Sequence, residues 1–325
     1  MVDVDPADLS AALSEGFEPA TAEKVVRLLG ILREVQALGS TKDRFTLKGG
    51  TALNVFHFPK APRLSVDLDL MVTGCPNASP GSRERRQVLQ DLRGLIEGLD
   101  YAISERTEHA GVTMSCSYRN SLGSPDRIKI DVDLLNRMTL IGSTSRDGPV
   151  LFAADDLNFP VVSESELLGQ KLTAVAYRAA PRDLFDMYIM LKAGWHRNPS
   201  ARAMYLAYSF LQDEEWYRLS YPVRLKVRYE PVQLADVLRG EDPAPALESI
   251  REIADLSLER ARPSFTCATD KEHALRRALL GGDLNAFADI AGQHDSARRA
   301  TLAKHPGLAW RLQQAARPAG RKRPT

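Results

Sequence analysis

Residues 45–72 read FTLKGGTALNVFHFPKAPRLSVDLDLMV, and the fold turns on this stretch. A short apolar run leads into Lys48-Gly49-Gly50-Thr51. A β-type run closes the stretch, with Asp67 and Asp69 alternating with Val66, Leu68 and Leu70. Successive side chains on a strand point to opposite faces, so the two carboxylates share one face and the apolar residues take the other. Two like charges held side by side repel unless a cation lies between them. A hard divalent ion such as Mg²⁺ meets that need and usually arrives with substrate phosphates. The glycine pair lets a backbone come close to a phosphate with its N–H groups as donors. Each half also has a plainer reading, Gly-Gly as a turn and Asp-x-Asp as a solvated face or a sheet edge. In this order, with Arg63-Leu64-Ser65 leading in, they specify far more together.

The pattern K-G-G-T-A-L at 48–53, followed by R-L-S-x-D-L-D-L at 63–70, resembles the nucleotidyltransferase superfamily that includes DNA polymerase β. Within it the match is to the bacterial AbiEii toxin branch, to which the MenT toxins belong. The resemblance implies that the Gly-Gly-Thr turn holds a nucleoside triphosphate and that the Asp pair holds a metal.

Composition agrees. The 325 residues suffice for two domains with separate cores. A hydrophobic share of 44% and a charged share of 26% are ordinary for a soluble globular protein. Lys plus Arg at 43 nearly cancels Asp plus Glu at 42, so nucleic-acid affinity has to come from local patches. Cys75, Cys116 and Cys267 are odd in number and widely spaced, which argues against a disulfide framework and a zinc site and suits a reducing cytoplasm. The start, MVDVDPADLS, lacks the charged-then-apolar pattern of a signal peptide. No apolar run approaches the ~20 residues of a membrane span.

Along the chain, a short helix is expected around Leu9 to Leu13, then one from Thr21, as N-cap, to about Leu38. The 45–72 stretch reads as strand, turn, short helix from Thr51 to Phe56, loop and strand. After a polar loop at 75–86 come a helix from about Glu84 to Leu99 and strands over 111–118 and 127–135. In the last of these Ile128, Ile130, Val132 and Leu134 face one way and Lys129, Asp131 and Asp133 the other. By the resemblance, a third carboxylate on a neighbouring strand completes a two-metal site. The pattern favours Asp131, with Asp133 in reserve.

Beyond Pro160 the sequence turns helical. Ser163-x-x-Glu166 reads as a capping box, and Lys171 falls within the apolar arc of the helix that follows, aimed at the rest of the protein. Snorkelling from a core edge is one account of it. The resemblance gives it a nucleotide contact instead. In APRDLFDMYIMLK at 180–192, Arg182 and Asp186 lie four apart, the spacing of an ion pair. By the R-D-x-x-D resemblance Asp186 joins the active site and Arg182 helps to position it. Helices are expected over 201–221, 247–261, 270–291 and 296–316, with a basic disordered tail after them.

These readings give an α+β chain with a polymerase β-like nucleotidyltransferase domain at 1–155, a mainly helical domain completing the cleft at 156–316, and a tail at 317–325. Asp67, Asp69 and Asp131 are the expected metal ligands for Mg²⁺ or Mn²⁺. Asp67, Asp69, Lys171 and Asp186 form the expected catalytic set. Lys48, Gly49, Gly50, Thr51, Ser65 and Arg182 form the NTP site. Alternation puts Ser65 on the carboxylate face. The resemblance implies NMP transfer from an NTP to RNA, with the tRNA 3′ end leading, a block of translation, and a cognate antitoxin partner. Two alternatives are a metal-dependent glycosyltransferase, which leaves the Gly-Gly-Thr turn unexplained, and a catalytically inactive nucleotide-binding regulator, which would need a damaged carboxylate set.

Overall fold

Alternating apolar and polar residues in the first half of the chain build strands β1 (Phe45–Lys48), β2 (Asp67–Val72), β3 (Ala102–Thr107), β4 (Gly111–Arg119), β5 (Pro125–Asp133), β6 (Ser143–Asp147) and β7 (Asn158–Val162). The computed structural model describes residues 4–212, 231–240, 246, 248–250, 270–291, 299–300 and 302–315, apart from positions 59, 76, 179 and 199. The strands join one seven-stranded sheet in the order β3-β4-β5-β2-β1-β7-β6. β2 is antiparallel to β1 and parallel to β5, while β7 runs parallel to β1. β3, β4 and β5 form an antiparallel run, and β6 pairs antiparallel with β7.

On one face of β4, β5 and β2, Val112, Met114, Ile128, Ile130, Leu68 and Leu70 are buried. They share a core with α2 (Pro19–Ala37), whose Val25, Leu28, Leu29, Leu32 and Val35 are buried, and with Val88 and Leu92 of α4 (Arg83–Gly98). The other face carries the polar residues, Asp69 and Asp131 among them. The same core extends into α5 (Glu164–Tyr177) and α6 (Pro181–Lys192) through Leu167, Leu168, Leu184 and Phe185. A smaller core joins α7 (Ser200–Gln212), α8 (Asp270–Leu280), α9 (Leu284–Ala291) and α10 (Pro306–Ala315).

Several local readings are corrected. β3 and β6 were not expected, because AISERT and STSRD are exposed edge strands without an apolar alternation. β7 lies past residue 155 yet pairs with β1. Glu18, not Thr21, caps α2, since Pro19 starts the helix and the Glu18 carboxylate accepts from the Ala20 and Thr21 N–H groups. Ser163 occupies the N-cap of α5 without a capping bond. Glu166 does not cap either. It is buried and accepts from the backbone N–H groups of Leu140 and Ile141 and from the Tyr208 hydroxyl. The helix expected over 270–291 is broken at Gly281-Gly282 into α8 and α9. The parts of the expected helices at 213–221, 251–261 and 296–298 and the tail at 317–325 lie outside the described residues.

Candidate active site

Strand register assembles the site. Lys48 on β1 pairs with Asp69 on β2, Asp69 with Asp131 on β5, and Asp131 with Thr113 on β4. Directly paired residues point to the same face, so these four form a row across the polar face. Thr113 donates to Asp131 Oδ1 at 2.5 Å, and Lys129 pairs with the other oxygen. Lys48 Nζ reaches past the row to Asp133 Oδ2 at 2.6 Å. Asp133 also accepts from the Asn136 amide (2.7 Å) and from the backbone N–H groups of Leu135 and Asn136. Burial works against its charge, but Lys48 and Asn136 outweigh it and hold the carboxyl below its usual range.

Asp69 is the opposite case. Burial, with Asp131 and Asp67 adding to it, pushes its carboxyl up against the pull of Lys48 and Lys171. Among the described residues it has no hydrogen bond and no ion pair within 4.0 Å. Against it lies Gly49, with a φ of +71°, in the left-handed region that glycine adopts at no steric cost. A Cβ at Gly49 would sit 1.9 Å from Asp69 Oδ2, so the turn and the carboxylate can be this close only with glycine there.

The Lys48–Thr51 turn runs through the single helical turn α3 (Gly49–Thr51) into a buried π-helical segment, Ala52–His57, where an ordinary short helix was expected. Asn54 in that segment donates to Gly50 O at 3.1 Å and to Asp186 Oδ1 at 3.0 Å. Thr51 is buried and donates to Asp67 O at 2.6 Å. Ser65 precedes β2, is buried, and has its hydroxyl against Gly50. Thr51 and Ser65 therefore support the turn from beneath and are not among the cleft-lining residues.

Asp186 on α6 is fully buried and heavily partnered. Arg63 grips it with two hydrogen bonds, Nε–Oδ1 at 2.8 Å and Nη2–Oδ2 at 2.7 Å, and Lys171 Nζ lies 2.6 Å from Oδ2. Burial would raise this carboxyl, yet Arg63 and Lys171 hold it far below its usual range. Arg182 takes no part. It turns outward to Asp67 Oδ2 at 3.5 Å, so the i,i+4 pair expected from the sequence is replaced by a buried pair with Arg63. Asp183, in the same motif, is bound by Arg178 at 2.6 Å and lies 3.5 Å from Lys171.

These elements enclose a cavity of about 610 Å³, within the range of small-molecule sites. Lys48, Gly49, Gly50, Asp69, Asp131 and Lys171 line it, and Asp133 and Asp183 do so as well. Asp67, Arg182 and Asp186 do not. Sequence reading missed Arg63 and Asn54 as partners of Asp186. Their only signal was position, Arg63 opening R-L-S-x-D-L-D-L and Asn54 one turn after Gly50.

A model of the Nucleotidyl transferase AbiEii toxin family, Type IV TA system, matches residues 31–313. This chain belongs to the AbiEii family. Among solved structures, MenT4, a nucleotidyltransferase toxin from Mycobacterium tuberculosis H37Rv, has the same fold. It is 17% identical, with a TM-score of 0.55 over 96% of this chain and 98% of that one. No curated protein matches by sequence.

AbiEii membership makes the chain a nucleotidyltransferase of the toxin class and removes the glycosyltransferase alternative. NTP is the substrate class that comes with it. No described helix of this AbiEii protein is long and apolar enough to cross a membrane. Among the described residues no three His, Cys, Asp or Glu side chains converge to hold a metal by themselves. Mg²⁺ is usually bound by one or two carboxylates plus substrate phosphates, not by an all-protein cage. An unpartnered, raised Asp69 with Asp131 beside it in register fits that mode.

Proposed function

We propose that this protein transfers a nucleoside monophosphate from an NTP to a hydroxyl at an RNA 3′ end, with tRNA as the acceptor class, and so blocks translation until a cognate antitoxin neutralises it. The cytoplasm, where these substrates are, is where it acts. The observation that carries the reading is the row Lys48-Asp69-Asp131-Thr113, with Gly49 packed against Asp69 and Lys171 across the cleft.

In this reading the Gly49 and Gly50 N–H groups and Lys48 take the triphosphate, with Thr51 and Ser65 shaping the turn under them. Lys171 neutralises the phosphate charge and is aimed by Asp186, which Arg63 and Asn54 hold in place. Arg182 tethers α6 to Asp67 at the rim. Asp69 and Asp131 are the residues that would hold Mg²⁺ or Mn²⁺ together with the phosphates, with Asp67 at the rim beside them and Asp133 committed to Lys48. Bound there, the ion would lower the pKa of the attacking hydroxyl and steady the leaving phosphate. The acceptor oxygen bonds to the α-phosphorus, the bond to the β-phosphate oxygen breaks, pyrophosphate leaves and the hydroxyl proton is lost.

The test is incubation with α-labelled NTPs and total RNA in the presence of Mg²⁺ or Mn²⁺. Label in a discrete RNA band is the expected result. Tight NTP binding with no labelled acceptor of any kind would refute transfer.

A further inference from the structure

The cleft continues past Asp131. Its far wall is made by the turn between β3 and β4 and by α10, with Arg106, Glu108, Gly111 and Trp310 as lining residues. β3 is the sheet edge on the side opposite β1, so this wall lies across the carboxylate row from Lys48 and Gly49. Nothing in the scheme above uses it.

Trp310 is fixed in that wall by the way its helix docks. A Cβ at Gly307 would meet Asn136 Oδ1 at 2.3 Å, so α10 can approach this closely only with glycine there. Asn136 in turn is bonded to Asp133, the partner of Lys48. His305 donates through Nε2 to Met138 O at 3.2 Å, and Arg311 donates to Phe210 O at 3.1 Å. The half-buried indole stacks on His109, with ring centroids 5.3 Å apart and planes 29° apart.

The surroundings are basic. Arg85 donates to the carbonyls of His109 (3.1 Å) and Glu108 (3.0 Å), and Arg137 donates to Leu134 O at 3.0 Å. Among the described residues neither arginine has a carboxylate within 4.0 Å. Burial lowers both guanidinium pKa values; Arg137 lowers that of Arg85 further, while Asp133 and Glu84 act the other way on Arg137. Arg106, on the exposed edge, pairs with Glu108. A rigid aromatic face with arginines beside it is the combination that holds single-stranded nucleic acid, bases stacking and phosphates pairing.

We propose that this wall binds the terminal nucleotide of the acceptor strand, its base on Trp310 and its phosphate toward Arg106. The assignment rests on the transferase reading. The lysines suited to the triphosphate stand on the other side of the carboxylates, which leaves this end for the acceptor. The base of the donor NTP is the other source of the same chemistry.

The test measures binding without turnover. A fluorescein-labelled single-stranded oligoribonucleotide of about ten nucleotides, within the usual site size, is titrated without NTP into wild type, Trp310→Leu, Trp310→Phe and Arg106→Gln. NTP binding is titrated in parallel by calorimetry. Trp310→Leu is expected to weaken RNA binding roughly ten- to a hundredfold, and Trp310→Phe to restore most of it, both with unchanged NTP affinity. Arg106→Gln, at an exposed position that folding does not depend on, should reduce the salt slope of RNA binding by about one. Unchanged RNA affinity in Trp310→Leu and Arg106→Gln would overturn the subsite, as would no RNA binding by wild type. A Trp310→Leu protein that loses NTP affinity and keeps RNA affinity would overturn the acceptor assignment in favour of the donor base. Wild type that binds NTP, and RNA at this wall, but transfers nothing would refute the transferase reading alone.

Discussion

Replacing Arg63 with Met keeps a chain of similar length and removes the charge that grips Asp186. The pair is buried, with Arg63 2% exposed and Asp186 0% exposed. Removing one partner of such a pair commonly costs about 3–5 kcal/mol, because it leaves a charge uncompensated. Here Asp186 keeps Lys171 at 2.6 Å and the Asn54 amide at 3.0 Å, so the low end, about 3 kcal/mol, is expected. That is a large share of the roughly 5–15 kcal/mol stability of a typical domain. Arg63→Lys should recover part of it, since one ammonium cannot reproduce two parallel bonds. The sign with pH follows from the lowered Asp186 pKa. Its stabilisation is present above the usual carboxylate value of about 4 and is lost as pH falls below it. The assay is urea unfolding of wild type, Arg63→Met, Asp186→Asn and the double variant at neutral pH. A coupling of at least about 1 kcal/mol between the two sites is expected. Refutation would be an Arg63→Met protein within about 0.5 kcal/mol of wild type, the range of ordinary surface changes.

Gly49→Ala should impair both fold and activity, because φ is +71° there and the new methyl carbon would lie 1.9 Å from Asp69 Oδ2; circular dichroism melts and NTP titration check this, and a neutral outcome would contradict the turn geometry. Lys171→Met should lower the transfer rate by ~10²–10³ while the protein stays folded, since Arg63 still holds Asp186, and initial rates beside a melting curve separate the two effects. Burial, acting against hydrogen bonds to backbone carbonyls, holds His57 and His305 neutral with pKa values lowered from 6.5 to about 4. Glu164 lies 3.8 Å from His57 but is paired with Arg146, which also opposes charge on the imidazole. A lowered histidine leaves the unfolded chain binding more protons below 6.5, so stability is full above that value and falls as pH drops toward 4. At pH 5 the loss is about 2 kcal/mol per histidine, to be read from urea midpoints at pH 7 and pH 5.

The sequence made β1 and the glycine turn legible through the Lys48-Gly49-Gly50-Thr51 motif, and β2 and β5 through alternating carboxylates and apolar residues, and strand register then puts Lys48, Asp69 and Asp131 in one row. Lys171 was legible for a similar reason, as a lysine on the apolar arc of its helix. Partners distant in sequence were not. Arg63 reaches Asp186 across 123 positions, and no local spacing encodes that. Arg182 at i,i+4 from Asp186 looked like the partner because spacing reports proximity along a helix, not which side chain the core surrounds. Glu166 fitted a capping box by pattern, but the unpaired backbone N–H groups of Leu140 and Ile141 took its carboxylate instead. Edge strands β3 and β6 carry little apolar signal because they bury little.

The account stands most directly on the carboxylate row. Initial rates of α-phosphate transfer from labelled NTP to RNA, measured for wild type, Asp69→Asn and Asp131→Asn at equal folded concentration, test it. The expected result is labelled RNA with stoichiometric pyrophosphate for wild type and a rate at least ~10²-fold lower for both variants. Either variant labelling RNA at the wild-type rate would contradict it.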